Sequence, residues 1–163
     1  MANLIDSSYF INDINLPNNY LTGTGELISD YIERYEKEVL IKLLGYDLYK
    51  LVTATPLDYS ELITGAEYSI GNQTRKWDGL QNSEKNSLIA YYVYYHFVLD
   101  QVNSMEGIGA VISQGENSVR TAPDLLLIKA WNRYVDLYNI CCEFLMVNQS
   151  SYPTWIYTPE YKN

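Results

Sequence analysis

Few side chains in this chain have the types and spacing that chemistry requires. The single histidine, His96, lies in a run of aromatic and aliphatic residues, and of its helical neighbours only Asp100 carries a carboxylate. One imidazole and one carboxylate make too small a ligand set for a metal site. We therefore expect His96 to be a core histidine whose ring is hydrogen-bonded to a hydroxyl or a carbonyl group.

The two cysteines, Cys141 and Cys142, are adjacent within a predicted helix. Successive helical side chains point about 100° apart, so a disulfide between these two residues would be strained. No further cysteine or histidine lies nearby to complete a metal-binding motif. We expect both thiols to be buried and free.

Motifs for catalysis and cofactor binding are also missing from the sequence. It has no Gly-x-Ser-x-Gly elbow, phosphate-binding loop or dinucleotide fingerprint, and Gly107 and Gly109 do not stand between a predicted strand and a helix. The carboxylates of Glu33, Glu36 and Glu38 fall on the polar side of a predicted helix, and we interpret them as surface charge. The sequence therefore predicts a protein that is not an enzyme and needs no metal or cofactor.

The balance of acidic and basic residues disfavours a nucleic-acid-binding protein. Eleven basic and twenty acidic residues give a net charge of −9. A protein that grips nucleic acid carries the opposite sign, and the dispersed Lys and Arg residues form no basic stripe for a single strand. The charge suits a soluble protein, or one that lines a passage through which DNA moves without sticking.

Tyrosine dominates the aromatic composition, with seventeen Tyr against three Phe and three Trp among 163 residues. Tyr buries a flat ring and keeps a polar hydroxyl, which suits a surface that is wet in one state and covered in another. The alternative is a tyrosine-rich core whose hydroxyls reach solvent. The length and the 47% hydrophobic share predict one globular domain. The first residues show no basic stretch followed by an apolar run, so we expect no secretory signal.

Residues 82–105 lack both Pro and Gly, and most of the second half of this stretch is aromatic or aliphatic. A helix that is apolar nearly all round is a buried helix, so this stretch predicts a central helix that other elements surround. It is too short in hydrocarbon and too rich in hydroxyls to span a membrane. Asn82 or Ser83 is the expected N-cap.

Shorter patterns predict the elements around this central helix. Apolar residues three and four apart predict a helix over residues 26–44, closed by Gly45, and another over residues 124–147 that packs antiparallel to the central helix. Alternation on both sides of Gly71-Asn72-Gln73 predicts a small β-hairpin. The expected fold is mainly α: a small bundle of about four helices around the central aromatic helix, with extended terminal arms. Short helices are predicted at residues 46–53 and 57–63.

Three segments flank or interrupt the helical domain, which we place at residues 26–149. The N-terminal arm, residues 1–25, is rich in apolar side chains, and we expect it to dock on its own domain rather than on a neighbour. The polar loop at residues 103–122 is too long for a passive connection, so it forms either a second hairpin or, as we favour, a segment that orders on a partner. The aromatic tail, residues 150–163, lies either in a groove on a neighbour or back on its own helices.

Four passages of the sequence together resemble a known class of proteins. They are EKEVLIKLLGYDLYK (residues 36–50), KWDGL (76–80), SLIAYYVYYHF (87–97) and PDLLLIKAWN (123–132), the last preceded by the long polar loop. They are similar to small virion proteins of tailed phages that infect gut Bacteroidales, including crAss-like phages. Those proteins are similar in plan to head–tail connector proteins, also called adaptors or head-completion proteins. The resemblance covers residues 27–147, and its motifs are structural rather than catalytic.

The resemblance implies a helical subunit that forms a homo-oligomeric ring, usually of about twelve copies, beneath the portal. Such a ring binds the portal and tail or further ring proteins, and double-stranded DNA passes through it without specific binding. It belongs to the virion, is assembled in the host cytoplasm and contacts no membrane. By position in this plan, the residues expected at subunit or partner interfaces are Ile108, Val111, Ile112, Val119 and Arg120 of the loop and Tyr152, Trp155, Tyr157 and Tyr161 of the tail.

Two other functions compete with the ring adaptor. One is a different tail-completion or ring component of the same virion. The other is a monomeric helical module that binds a host protein. An enzyme would require Asp, Glu and Tyr side chains to converge in a cleft that the sequence does not reveal.

Overall fold

The computed structural model describes residues 3–16, 21, 27–107 and 123–163. These residues contain four α-helices and one two-stranded antiparallel hairpin, so the predicted mainly α fold is confirmed. The elements are α1 (Ile28–Ala54), α2 (Ser60–Thr64), β1 (Ala66–Ile70), β2 (Gln73–Trp77), α3 (Leu88–Gly107) and α4 (Pro123–Val147). Single 3₁₀ turns lie at Ser7–Tyr9, Asn12–Ile14 and Pro56–Tyr59.

Helix α1 consists of two helical segments that meet at a glycine. The carboxylate of Asp30 accepts a hydrogen bond from the Leu27 N–H at 3.1 Å, which satisfies one backbone donor at the helix start. At Gly45 the backbone has φ +74° and ψ 157°, a left-handed conformation that disfavours side chains and breaks the helix. The two helices predicted on either side of Gly45 are therefore confirmed as the two halves of α1.

Helix α3 is the central element and packs against both α1 and α4. Every residue from Leu88 to Tyr94 is buried, and beyond them Phe97 is buried as well. Aromatic contacts fix the relative direction of α3 and α4. Tyr92 lies against Tyr134, and the later residue Tyr95 lies against the earlier residue Trp131, so the two helices run in opposite directions. The predicted buried central helix and its antiparallel partner are confirmed.

The predicted start of the central helix at Asn82 or Ser83 is wrong, because the helix begins at Leu88. The Ser87 hydroxyl caps it by accepting from the Ile89 N–H at 3.2 Å, and it donates to the Leu80 carbonyl at 2.6 Å. Asn82 instead closes a loop, since its side chain bonds the backbone N–H and the carbonyl of Asn86. A capping residue placed five positions later therefore sets the helix start.

The hairpin lies at the predicted place, and its strands pair with Ala66 opposite Trp77 and Ile70 opposite Gln73. The strands are joined by Gly71 and Asn72, and Gly71 has the positive φ (+57°) that tight hairpin turns require at their first position. The hairpin packs on α4 through Tyr68, whose hydroxyl donates to the Glu143 carboxylate at 2.7 Å. Residues 103–107, predicted as loop, belong to α3, and residues 108–122 lie outside the described residues.

The described part of the N-terminal arm docks on its own chain, as predicted. The backbone N–H groups of Leu4 and Ile5 donate to the two carboxylate oxygens of Glu36, at 2.7 and 3.1 Å. Glu36 is therefore not surface charge, and that prediction is wrong: the arm covers it and leaves 6% of it exposed. Burial raises the pKa of the Glu36 carboxyl, while the two backbone hydrogen bonds act to lower it. The arm contributes six buried apolar side chains to the core: Leu4, Ile5, Tyr9, Phe10, Ile14 and Leu16.

Candidate functional site

The two cysteines lie in the core, and the single histidine is half-buried. Cys141 and Cys142 are both buried and free, as predicted. Burial raises the pKa of both thiols, that of Cys142 to about 12, so both are protonated and unreactive at neutral pH. Within the described residues no group of three or more His, Cys, Asp or Glu side chains could hold a metal ion.

His96 lies in an aromatic cluster between α1 and α3. Its ring stacks on Tyr35 with the centroids 4.3 Å apart and meets Tyr92 edge-on at 4.6 Å. The expectation that a hydroxyl or carbonyl satisfies its ring is not met at Nε2, which is buried and has no hydrogen-bond partner among the described residues. The reason is that flat aromatic faces, rather than polar atoms, surround the ring. Burial lowers the pKa of His96, against the opposing charges of Glu38 and Asp100.

The aromatic tail bridges α1 and α4. The Trp155 indole donates to the Leu43 carbonyl of α1 at 2.9 Å, and the Tyr138 hydroxyl of α4 donates to the Thr158 carbonyl at 2.8 Å. Further along, the Trp131 indole donates to the Tyr161 carbonyl at 2.8 Å. Of the two alternatives for the tail, the structure therefore shows the one in which it folds back on its own helices.

Two ion pairs and one amide pair hold the last residues of the tail. Glu160 bonds Lys42 of α1 at 2.6 Å, and Lys162 bonds Asp136 of α4 at 2.7 Å. The Asn163 N–H donates to the Asn132 side chain at 2.9 Å. The end of the chain is thus anchored at three points to the two helices it crosses.

The predicted interface residues of the tail divide into two groups. Tyr152 and Trp155 are 3% and 5% exposed, so the structure places them in the chain's own core rather than on its surface. Tyr157 and Tyr161 are 47% and 75% exposed and remain available to a partner. The predicted loop residues Ile108, Val111, Ile112, Val119 and Arg120 lie outside the described residues.

Sequence reasoning missed Ile156, which is 79% exposed. Its signal was local: in an extended segment successive side chains point to opposite sides, so the residue after a buried Trp155 points outward. Ile156, Tyr157 and Tyr161 are called the tail surface below. Hydrogen bonds and an ion pair hold the segment that carries these three exposed side chains.

A second surface feature is a pocket of about 560 Å³ on α4, called the α4 pocket below. It lies where α4 meets Tyr91 of α3 and the 3₁₀ turn of the N-terminal arm, at Asp13 and Ile14. Helix α4 contributes both apolar and charged side chains to its wall: Leu126, Lys129, Ala130, Asn132, Arg133 and Asp136. Burial raises the pKa of the Tyr91 hydroxyl, which is therefore a neutral hydrogen-bonding group at physiological pH.

The protein is thus small and mainly α-helical. Its candidate sites are the tail surface and the α4 pocket rather than a cluster of metal-binding side chains. Residues 40–163 match the model of DUF6712, a family of unknown function, and the chain belongs to this family. The matched span includes the second part of α1, the hairpin, α3, α4 and the tail. No curated protein and no solved structure matches the chain. None of the helices in the described part is long and apolar enough to cross a membrane.

Proposed function

We propose that this chain is a structural virion protein that assembles as a ring at the head–tail junction of a tailed phage. The ring, of about twelve copies, joins the portal to the tail and extends the DNA channel. The protein acts there by contact with other chains and performs no reaction. It is assembled in the host cytoplasm and ends in the virion.

The observation that carries this proposal is the tail surface. Three large apolar side chains project from a segment that indole, hydroxyl and charged side chains fix to two helices. Exposed apolar groups on an ordered backbone favour binding to other proteins, because little conformational entropy is lost when a partner covers them. The head–tail junction itself comes from the resemblance of residues 27–147 to connector proteins.

The net charge of −9 supports the channel role. A ring that repeats this charge in every subunit is strongly acidic as a whole, and an acidic ring repels DNA rather than binding it. DNA is therefore expected to pass through the ring without specific binding.

The test is the particle mass of the purified full-length chain, alone and mixed with the portal protein of the same virus. Mass photometry should show a multimer, and negative-stain microscopy should show closed rings, alone or on the portal. Rings that join the tail but never the portal would favour another tail-completion component. A monomer that joins no portal-containing particle would contradict the proposal and favour a host-directed binding module.

A further inference from the structure

The 3₁₀ turn after α1 carries the most exposed large apolar side chain of the described residues, Leu57, at 89%. The turn itself is ordered. The Asp58 N–H donates to the Thr55 carbonyl at 3.0 Å, and the ring of Tyr59 lies 6.1 Å from that of Tyr152 in the core. Leu57 is thus held in solvent by a fixed backbone rather than by a loose loop.

The two charged residues that follow Leu57, in the turn and in α2, are both acidic. Asp58 and Glu61 are exposed, and no described residue forms an ion pair with either one. Leu57, Asp58 and Glu61 are called the corner below. A surface that covers the corner favourably must offer an apolar recess for the leucine and cations for the carboxylates.

The α4 pocket has both of these features. Its buried wall includes Tyr91 and Ala130, beside the half-buried Leu126. Lys129 and Arg133, one helical turn apart on α4, supply two exposed cations. The apolar wall and the cations therefore lie within one recess of about 560 Å³.

The charge of the pocket opposes that of the chain as a whole. Of its two carboxylates, Asp136 is neutralised by Lys162 at 2.7 Å, and Asp13 is the other. Among the described residues, Lys129, Arg133 and Asp13 form no ion pair, which leaves the pocket with a positive excess in a chain whose net charge is −9. This excess complements the acidic corner.

The corner and the pocket lie at opposite ends of α4 and do not meet within one chain. Tyr59 next to the corner contacts Tyr152, whose ring is 5.9 Å from Phe144. The pocket residue Ala130 lies fourteen residues earlier on α4, about 21 Å away at 1.5 Å per helical residue. Each copy can therefore give its corner to one neighbour and receive the corner of another.

We propose that the corner of one copy occupies the α4 pocket of the next, with Leu57 against the apolar wall and Asp58 against Lys129 and Arg133. A contact between two different surfaces of identical chains is heterologous, and it closes into a ring when the rotation between copies permits. The inference rests on the proposed ring and names one contact between neighbouring copies within it, in addition to those of the tail surface.

Cross-linking with cysteine variants tests this contact directly. A Leu57→Cys chain is mixed with a Leu126→Cys chain and treated with a short bis-maleimide; the native cysteines are buried and protonated. The mixture should yield a covalent dimer, and each variant alone should yield none. The matched control replaces Leu126→Cys by Ile70→Cys on the hairpin, a site 37% exposed and away from the pocket, and should stay uncross-linked.

Affinity measurements supply a second readout. Leu57→Ser should weaken self-association about 10- to 100-fold, because the transfer free energy of one buried leucine is lost. Asp58→Lys or Lys129→Glu alone should also weaken it, and the double variant should recover most of the loss. Ile70→Ser should leave it unchanged.

The outcomes separate this contact from the ring itself. Rings without the Leu57–Leu126 cross-link overturn the contact and leave the ring standing. The cross-link in open chains that never close or join the portal supports the contact and overturns the ring. A monomer that gives no cross-link at high concentration overturns both.

Discussion

The amino-terminal arm (residues 3–16) and the tail (residues 150–163) both dock on the helices without forming an α-helix or a strand. They differ in where they put their apolar side chains. The arm buries six of them and leaves Ile11, 40% exposed, as the exception. The tail buries Tyr152 and Trp155 and exposes the three residues of the tail surface.

The contacts that hold the two segments on the helices also differ. The arm is held by a buried carboxylate that accepts two consecutive backbone N–H groups, an arrangement that needs the arm in place to be satisfied. The tail is held by two ion pairs and by hydrogen bonds in both directions. Its carbonyls accept from Trp131 and Tyr138, and its Trp155 indole donates to the Leu43 carbonyl. The comparison indicates that the arm completes the fold, whereas the tail both completes the fold and presents a surface.

The largest expected effect separates the two roles within the tail. Trp155→Ala should reduce the free energy of unfolding by about 3–5 kcal/mol, because it removes a buried indole and the donor to the Leu43 carbonyl. The matched variant Ile156→Ala should change it by less than about 0.5 kcal/mol. Urea unfolding measures both. Equal small effects would mean that the tail is not part of the core.

The next effect concerns the arm. Glu36→Ala should cost about 2 kcal/mol, since two backbone donors lose their acceptor, while relief from burying the carboxylate offsets part of the loss. Hydrogen exchange at Leu4 and Ile5 should accelerate. Glu33→Ala, at an exposed position of the same helix, is the control. Unchanged exchange in the Glu36 variant would show that the arm is held without this carboxylate.

The smallest effect is a pH dependence of the free energy of unfolding. It originates at His96, between α1 and α3, rather than in either terminal segment. The pKa of His96 is lowered in the fold, so the unfolded chain binds its proton more readily. The stabilisation is complete above the unfolded pKa of about 6.5 and is lost as the pH falls through the lower folded value.

Unfolding curves at pH 7.5 and 5.5 measure this dependence. The His96→Phe variant keeps an aromatic ring against Tyr35 and should show a flatter stability profile across that range. The raised pKa of Glu36 acts with the opposite sign in both proteins and so cancels in their difference. Identical slopes would mean that His96 titrates alike in the folded and unfolded chains.

Much of the fold follows from local sequence signals. The apolar period of α3 and α4, the break at Gly45 and the turn at Gly71 are all local, and each was predicted at its observed place. The start of α3 was not, because two polar residues offered equivalent caps and the choice of Ser87 depends on its tertiary bond to Leu80.

Long-range contacts account for the other errors. The helical spacing places Glu36 on the polar side of α1. It is a buried hydrogen-bond acceptor only because the arm, more than thirty positions away in the sequence, covers it. The tail could be predicted only in part, for the same reason. Composition identified the tail as aromatic, but the inward turn of Trp155 depends on the Leu43 carbonyl that α1 presents to its indole.

A double variant, Ile156→Ser with Tyr161→Ser, shows whether the tail surface binds other chains. Thermal unfolding and mass photometry are measured on the same preparation. We expect a melting temperature within a few degrees of that of the unmodified chain, together with loss of ring assembly and of portal binding. Full assembly by the double variant would contradict this expectation.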